Sequence, residues 1–244
     1  MKKYILLSIL IIAAAAVLSC SKGDAGPTGP DAPDTATAVF QNGVSPSAAY
    51  AGCEDATLQS DIPNDSSGAC NYIIIGRYSG IEYRPALKFD LSYIVPANVK
   101  VISATLTLYT DSTGDSFGSN TYTAYAISRS WTEGTGACGG GGIGVNVSWN
   151  NFDGTGNAWT APGGDFSVSA ASNAVPVTTV ANGTEISFNL NTSMVQSWIS
   201  SPSTNYGIII KDSATTGDKW LRPCSSEIAG TAYRPKLTVN YTLQ

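Results

Sequence analysis

Apolar and polar residues alternate with a period of two in short segments along most of this chain, from about residue 39 onward. This alternation is typical of β-strands that bury one face and expose the other. Four segments show it most clearly, with these residues predicted on one face: Ile102, Ala104, Leu106 and Leu108; Tyr122, Ala124 and Ala126; Ile186, Phe188 and Leu190; Leu237, Val239, Tyr241 and Leu243. Val145, Val147 and Trp149 alternate in the same way and predict one more strand. The continuous apolar runs 73–75 and 208–210 predict strands covered on both faces.

One segment follows a helical period instead. Its apolar residues recur at i, i+4, i+5, i+8 and i+9, namely Leu190, Met194, Val195, Trp198 and Ile199. Asn191, Thr192 and Ser193 are candidate N-caps, and Pro202 ends the segment. Many short strands, polar connections and one short helix predict an all-β fold, an antiparallel β-sandwich of the jelly-roll type that spans residues 39–244.

The N-terminus has the pattern of a secretory signal. Lys2 and Lys3 precede an apolar run over residues 5–17, which is short for a membrane-spanning helix. The sequence Val17-Leu18-Ser19-Cys20 resembles the bacterial lipobox. The resemblance implies that residues 1–19 are removed and that Cys20 is acylated. An ordinary signal cut elsewhere, or an uncleaved anchor, is the alternative.

Residues 20–38 are predicted to form a flexible tether. Glycine recurs at every third position, at residues 23, 26 and 29, as in collagen. Three triplets are too few for a triple helix, so we expect an extended Gly/Pro-rich linker. If Cys20 is acylated, Ser21 follows the lipid. Resemblance to lipoproteins sorted on that residue implies an outer-membrane or cell-surface location in a bacterium.

Composition excludes several kinds of chemistry. The 244 residues contain no His, which rules out Ser-His-Asp and Cys-His catalysis and His-ligated zinc or copper. The formal net charge is −5, and no basic run follows Lys3. Because nucleic-acid binding depends on Lys and Arg that neutralise phosphates, we expect no nucleic-acid partner.

Four cysteines follow Cys20, and an even number fits an oxidising compartment. Cys53, Cys70, Cys138 and Cys224 allow three pairings. We favour Cys53–Cys70, which would close a short polar loop, and Cys138–Cys224. The chain has no CxxC pair, which argues against a zinc site with four thiolates.

A series of motifs resembles a known family. The motifs are, in order, Arg84-Pro85-Ala86-Leu87-Lys88-Phe89-Asp90-Leu91-Ser92, Trp131-Thr132-Glu133, Ser148-Trp149-Asn150, Val195-Gln196-Ser197-Trp198, Asn205-Tyr206-Gly207, Ser226-Glu227 and Arg234-Pro235-Lys236-Leu237. Their order and spacing resemble the DNRLRE-domain family of secreted bacterial and archaeal proteins, also called disaggregatase-related, over about residues 50–244. The resemblance implies a surface module, since related modules are described as carbohydrate-binding and some are attached to polysaccharide lyases. The Gly-rich insertion 139–144 and the second cysteine pair depart from that pattern.

Within these motifs most residues are expected to be structural. Trp131, Trp149 and Trp198 lie beside apolar alternation, which favours core positions. Arg84 and Glu227 are a candidate ion pair that would fix one strand edge.

The candidate carbohydrate-binding residues lie outside the motifs. Trp159 and Trp220 lie among loop residues, and Lys219 and Arg222 are charged neighbours suited to acidic sugars. A loop tryptophan that packs inward is the alternative. Tyr78 and Tyr83 are further candidates.

A calcium site is also a candidate. Asp55, Asp61, Asn64 and Asp65 cluster in sequence beside Cys53 and Cys70, and their oxygens suit a hard cation. We predict no other cofactor. No pair of residues is marked as a catalytic acid and base, and aspartates in turns have local structural roles, so no enzyme activity is expected.

The sequence thus predicts a lipid-anchored cell-envelope lipoprotein whose β-sandwich binds a glycan or another cell-surface partner. The alternative is a structural spacer that binds no small ligand. A polysaccharide-degrading enzyme is the third hypothesis.

Overall fold

The protein is described from a computed structural model that covers residues 34–94, 98–111, 120–139, 142–143, 146–178, 181–213 and 217–244. Strands account for 46% of the structure and helices for 8%, which confirms the all-β prediction. The predicted signal peptide 1–19 and Cys20 lie outside the described residues.

The described part of the chain contains 14 strands and one α-helix. The strands are β1 (Thr35–Phe40), β2 (Cys53–Gln59), β3 (Asp65–Ser66), β4 (Ile75–Tyr78), β5 (Ile81–Phe89), β6 (Val99–Tyr109), β7 (Asn120–Ile127), β8 (Gly142–Ile143), β9 (Phe166–Ala170), β10 (Val175–Val177), β11 (Glu185–Leu190), β12 (Ile208–Asp212), β13 (Lys219–Leu221) and β14 (Lys236–Leu243). The helix α1 spans Thr192–Ser200, and short 3₁₀ turns span Pro202–Thr204 and Thr231–Tyr233.

Two antiparallel sheets form the sandwich. The smaller has the strand order β1-β14-β6-β11. The larger has the order β10-β7-β12-β5-β4-β13, with β2 also paired to β5 and β9 also paired to β7. The two-residue strands β3 and β8 pair separately.

The centre of the larger sheet, at β5 and β12, is buried on both faces. One face contributes to the main core, which contains Leu106, Phe188 and Leu237 from the smaller sheet and Ile208 and Ile210 from the larger. The other face is covered by a second cluster that includes Ile209, Trp131 and Trp159. The alternate placement of residues 208–210 in two cores confirms the prediction that this apolar run is covered on both faces.

The folded domain begins earlier than residue 39. Strand β1 starts at Thr35 and pairs with β14, from Thr35 opposite Thr242 to Phe40 opposite Leu237. Residues 35–38 therefore belong to the sheet and not to the tether. Thr and Ala at these positions resemble linker composition, and only the hydrogen bonds to β14 distinguish them from it.

The prediction of which β6 side chains face the core is wrong at one position. Ala104, Leu106 and Leu108 are buried as predicted, but Ile102 is 49% exposed, whereas Val101 and Val99 are buried. The register with β14 shifts there, because Asn240 pairs with Ser103 and Tyr241 with Val101. This β-bulge adds one residue to β6 and reverses which positions face the core.

Two further local predictions have different outcomes. Residues 147–149 form an irregular segment and not a strand, although Val147 is fully buried in the second cluster. The helix is confirmed, with Asn191 as its N-cap: the side-chain oxygen accepts hydrogen bonds from the N–H groups of Ser193 at 2.9 Å and Met194 at 3.2 Å.

Candidate functional site

Aromatic side chains meet on the β4–β13 side of the larger sheet. Antiparallel pairing places Trp220 of β13 opposite Gly76 of β4, and Gly76 opposite Tyr83 of β5. Residues opposite each other in a sheet project to the same side. Gly76 contributes no side chain between Trp220 and Tyr83, and its φ of +113° and the close approach of the Lys219 backbone leave no room for a Cβ there.

Trp220 and Tyr83 line one of two adjoining surface cavities, which we call together the aromatic groove. The first half has a volume of about 210 Å³ and is lined by Tyr72, Ile74, Tyr78, Tyr83, Trp220 and Arg222. Tyr78 is 45% exposed, and its ring lies 5.8 Å from that of Trp220, tilted by 56°. The apolar faces of these rings are the kind of surface on which the CH faces of sugars pack.

The second half adjoins the first and adds several polar side chains to the lining. It also has a volume of about 210 Å³, and its lining shares Tyr72, Ile74 and Tyr83 with the first half. The remaining lining residues are Thr57, Gln59, Ser67, Cys70, Cys138 and Gly139.

The structure places some of the predicted carbohydrate-binding residues in the groove and others outside it. Trp220, Arg222, Tyr78 and Tyr83 come together in the groove. Lys219 does not line either half. Arg222 is paired with Asp111 at 3.0 Å, and its guanidinium carbon lies 4.5 Å from the centre of the Tyr72 ring.

Trp159 is not an exposed contact. It is only 5% exposed, its ring centre lies 5.7 Å from that of Phe152, and its indole N–H donates to the carbonyl oxygen of Ser148 at 2.9 Å. The packed-loop alternative is therefore the correct one, because this loop folds over the larger sheet and supplies its second core.

A larger cavity lies at the opposite end of β5. It has a volume of about 690 Å³ and is lined by residues that include Lys88, Phe89, Ile94 and Trp198. Its aromatic rings, Phe89 and Trp198, are each 6% exposed because both belong to the main core. This cavity thus offers a ligand little aromatic surface.

A second cluster of chemical interest joins three carboxylates from distant parts of the chain. Carboxylate oxygens of Asp55, Glu133 and Glu227 lie within 4.8 Å of one another, and we call this group the carboxylate triad. Asp55 is buried, Glu133 is half-buried and Glu227 reaches the surface. Such a set of oxygens could hold a hard cation.

Hydrogen bonds fix the triad. Asp55 accepts from the backbone N–H of Ser226 at 2.7 Å, and Glu227 accepts from the hydroxyl of Ser226 at 2.7 Å. Burial raises the pKa of Glu133 to about 8, and the negative charge of Glu227 adds to that effect. Burial and the neighbouring Glu227 also raise the pKa of Asp55.

The predicted calcium group does not assemble. Asp55 lies in the triad, and within the described residues Asp61 and Asp65 join no such group. Asp61 instead accepts a hydrogen bond from the side chain of Gln59 at 2.7 Å, and Asn64 accepts one from that of Asn150 at 3.0 Å. The prediction from proximity in sequence failed because Asp55 lies on the extended strand β2, which separates it from the turn at residues 61–65.

The predicted disulfide pairing is wrong. The bond joins Cys70 to Cys138, and Cys53 and Cys224 are free and buried. The pairing of β3 with β8, and a hydrogen bond from the N–H of Ala69 to the carbonyl of Gly136, align the two segments that carry the bonded cysteines. Burial raises the pKa of the Cys224 thiol to about 11 and also raises that of Cys53, so both stay protonated at neutral pH.

The expected Arg84–Glu227 pair is also wrong. Arg84 pairs with Glu82 at 2.7 Å and lies over the Trp149 ring, with 4.7 Å between the guanidinium carbon and the ring centre. Glu227 belongs to the carboxylate triad. Both glutamates of the triad occur in the quoted motifs, Trp131-Thr132-Glu133 and Ser226-Glu227, but nothing in their spacing shows that Asp55 joins them.

No family model matches the chain, and no curated protein matches it. The similarity to the DNRLRE-domain family stays a prediction from the motifs. None of the helices in the described ranges has the length and apolar character needed to cross a membrane.

Proposed function

We propose that this protein is a lipid-anchored component of a bacterial cell envelope and that its β-sandwich binds carbohydrate in the aromatic groove. The observation that carries the proposal is the meeting of Trp220, Tyr78, Tyr72 and Tyr83 around one open cavity. These residues come from three different strands and a loop, yet their rings line the same space.

Aromatic exposure favours binding over packing. Tyr78 leaves 45% of its surface exposed beside Trp220, and large aromatic side chains gain free energy when they are covered. Polar groups at the second half supply the directional contacts that a sugar's hydroxyls need.

Binding to an array of soluble and immobilised glycans tests this proposal. We expect the protein to bind at least one glycan and the Trp220→Ala variant to lose about tenfold or more in affinity, which corresponds to ~1.4 kcal/mol. Tyr93→Ala is the matched control, because Tyr93 is 52% exposed and lines neither half of the groove. Binding that is unaffected by Trp220→Ala, or no binding on any array, would contradict the proposal.

The lipid anchor is supported by sequence and by redox chemistry. Cys20 ends the lipobox-like sequence, and the Cys70–Cys138 bond fits an oxidising compartment. Mass spectrometry of the protein from a bacterial host should find an N-terminal Cys20 carrying acyl chains. A Cys20→Ala variant should leave the membrane fraction, whereas an unmodified Cys20 would exclude the anchor.

The other hypotheses have less support. The triad contains the carboxylates of raised pKa that a hydrolase would use, but Asp55, Glu133 and Glu227 line neither half of the aromatic groove. A spacer with no small ligand would bind no glycan, with or without the Trp220→Ala substitution. The same glycan experiment therefore separates it from our proposal.

A further inference from the structure

Each half of the aromatic groove is smaller than an ordinary ligand pocket. Each has a volume of about 210 Å³. Pockets that hold small ligands usually measure about 300–1,000 Å³, so either half alone is small and a ligand of ordinary size would extend over both. Tyr72, Ile74 and Tyr83 line both halves, so the two halves adjoin at these residues.

The two halves also differ in chemistry. Trp220 and Tyr78 provide ring surface in the first half only. In the second half Thr57 and Gln59 provide polar groups: the Thr57 hydroxyl oxygen accepts from the N–H of Ile74 at 3.0 Å, and the Gln59 amide donates to Asp61 at 2.7 Å. These bonds hold the Thr57 hydroxyl group and the Gln59 amide in place at the second half, where such groups can pair with a ligand's hydroxyl groups.

Among the described residues, the groove lacks the unpaired positive charge that a site for acidic sugars needs. The described lining of the second half contains no charged side chain. Arg222 is the one charged side chain in the described lining of the first half, and it is 3.0 Å from the carboxylate of Asp111. A uronate or sulfate in the groove would meet a cation that is already neutralised, on a protein whose formal net charge is −5.

We infer that the ligand of the groove is an uncharged oligosaccharide of two or more sugar units, with one unit on the Trp220–Tyr78 rings and the next over Thr57 and Gln59. This inference deepens the proposed function and rests on it. It also revises the expectation from the sequence, in which Lys219 and Arg222 suggested acidic sugars.

The experiment is a calorimetric titration of the full protein with two matched series. The neutral series contains cello-, manno- and xylo-oligosaccharides from one to six units, and the acidic series contains oligomannuronates and oligogalacturonates of the same lengths. We expect binding in the neutral series, with affinity that rises about tenfold from one unit to three. We also expect that affinity to stay constant between ~0.05 and ~0.5 M NaCl, because no ion pair with the ligand is screened.

Two variants separate the halves. Trp220→Ala should weaken every bound oligosaccharide, whereas Gln59→Ala should weaken those of two or more units by about threefold to tenfold and leave the monosaccharide unchanged. Gln244→Ala is the matched control, because this exposed C-terminal glutamine lines neither half.

The possible results are distinct. Binding of acidic oligosaccharides that weakens with salt would overturn this inference and leave the proposed function in place. Equal affinity for one unit and six units would overturn the two-half assignment. Failure to bind any member of either series, together with a negative glycan array, would overturn the proposed function itself.

Discussion

The backbone N–H of Asp55 donates a 2.6 Å hydrogen bond to a carboxylate oxygen of Glu133. This bond ties β2 to the segment that follows β7, 78 residues later in the chain. It also holds the carboxylate of Glu133 near those of Asp55 and Glu227. The same Glu133 carboxylate therefore makes a stabilising hydrogen bond and, when ionised, an unfavourable contact with two neighbouring negative charges.

The stability of the protein should fall as pH rises through the neutral range. Glu133 has a pKa of about 8 in the folded protein, far above that of a free glutamate, which is about 4.3. The folded state therefore keeps a proton that the unfolded state has released, and the stabilisation from this proton is complete below about pH 4 and lost by about pH 8. Since Glu133 is half-buried and screened by solvent, we expect a loss of roughly 1–2 kcal/mol between pH 5 and 8.5.

The Glu133→Gln variant should lose less stability over the same range. Glutamine keeps an oxygen that can accept the hydrogen bond from Asp55 but does not ionise. Thermal unfolding at pH 5 and 8.5 measures the difference, which corresponds to ~2–4 °C per kcal/mol in a domain of this size. Glu185→Gln, an exposed glutamate on β11, is the control. Equal slopes for wild type and Glu133→Gln would contradict the electrostatic account.

The Cys70–Cys138 bond should contribute substantially to stability. The cysteines are 68 residues apart, and closing a loop of this length stabilises by about 4 kcal/mol in the chain-entropy model. Cys138→Ser should therefore lower the urea midpoint, and reductant should have the same effect on the wild type.

Peptide mapping without reduction tests the pairing itself. The Cys70 and Cys138 peptides should be found linked, and Cys53 and Cys224 should react with a thiol reagent only after unfolding, because both are buried. A Cys53–Cys70 peptide would show that the pairing is different.

Trp159 and Trp220 should respond in opposite ways to alanine. Trp159→Ala removes a 5%-exposed ring from the second core and leaves the carbonyl of Ser148 without its donor, so we expect a loss of about 3–5 kcal/mol in unfolding free energy. Trp220→Ala should cost much less stability, because the ring is half-buried at the groove. Urea denaturation of both variants, beside their glycan affinities, makes the comparison, and a Trp220→Ala variant as unstable as Trp159→Ala would assign Trp220 to the core.

Asp111→Asn should widen the range of ligands. The substitution removes the carboxylate that neutralises Arg222 at 3.0 Å and leaves a similar side-chain shape. We expect the variant to gain salt-sensitive affinity for oligomannuronates and to keep its affinity for neutral oligosaccharides within about twofold. Asp34→Asn, an exposed aspartate just before β1, is the control. No gain for acidic ligands would mean that the pairing with Asp111 is not what excludes them.

Local patterns predicted the elements best where one face of a strand packs on one core. Ile186, Phe188 and Leu190 are all buried as their alternation indicates, and Asn191 caps the helix as its side chain allows. Prediction failed at Ile102 because a single inserted residue in the pairing with β14 reverses the inward face without changing the composition of β6.

Pairings between distant segments were not available from local patterns. The four cysteines showed that a disulfide could form, but the choice of Cys138 as the partner of Cys70 depends on the β3–β8 pairing, which joins two strands of two residues each. The carboxylate triad was missed for a similar reason, because its members lie on a strand and two loops.

The sequence by itself determined the class of fold, the helix with its three candidate caps, and four members of the aromatic groove, because periodicity and side-chain type act over a few neighbouring residues. The four are Trp220, Arg222, Tyr78 and Tyr83. The tertiary structure decided the disulfide, the carboxylate triad and the pairing that places Gly76 between Trp220 and Tyr83. Each of these depends on which strands pair and in which register. That choice is made by the packing of the whole sandwich, and no short segment encodes it.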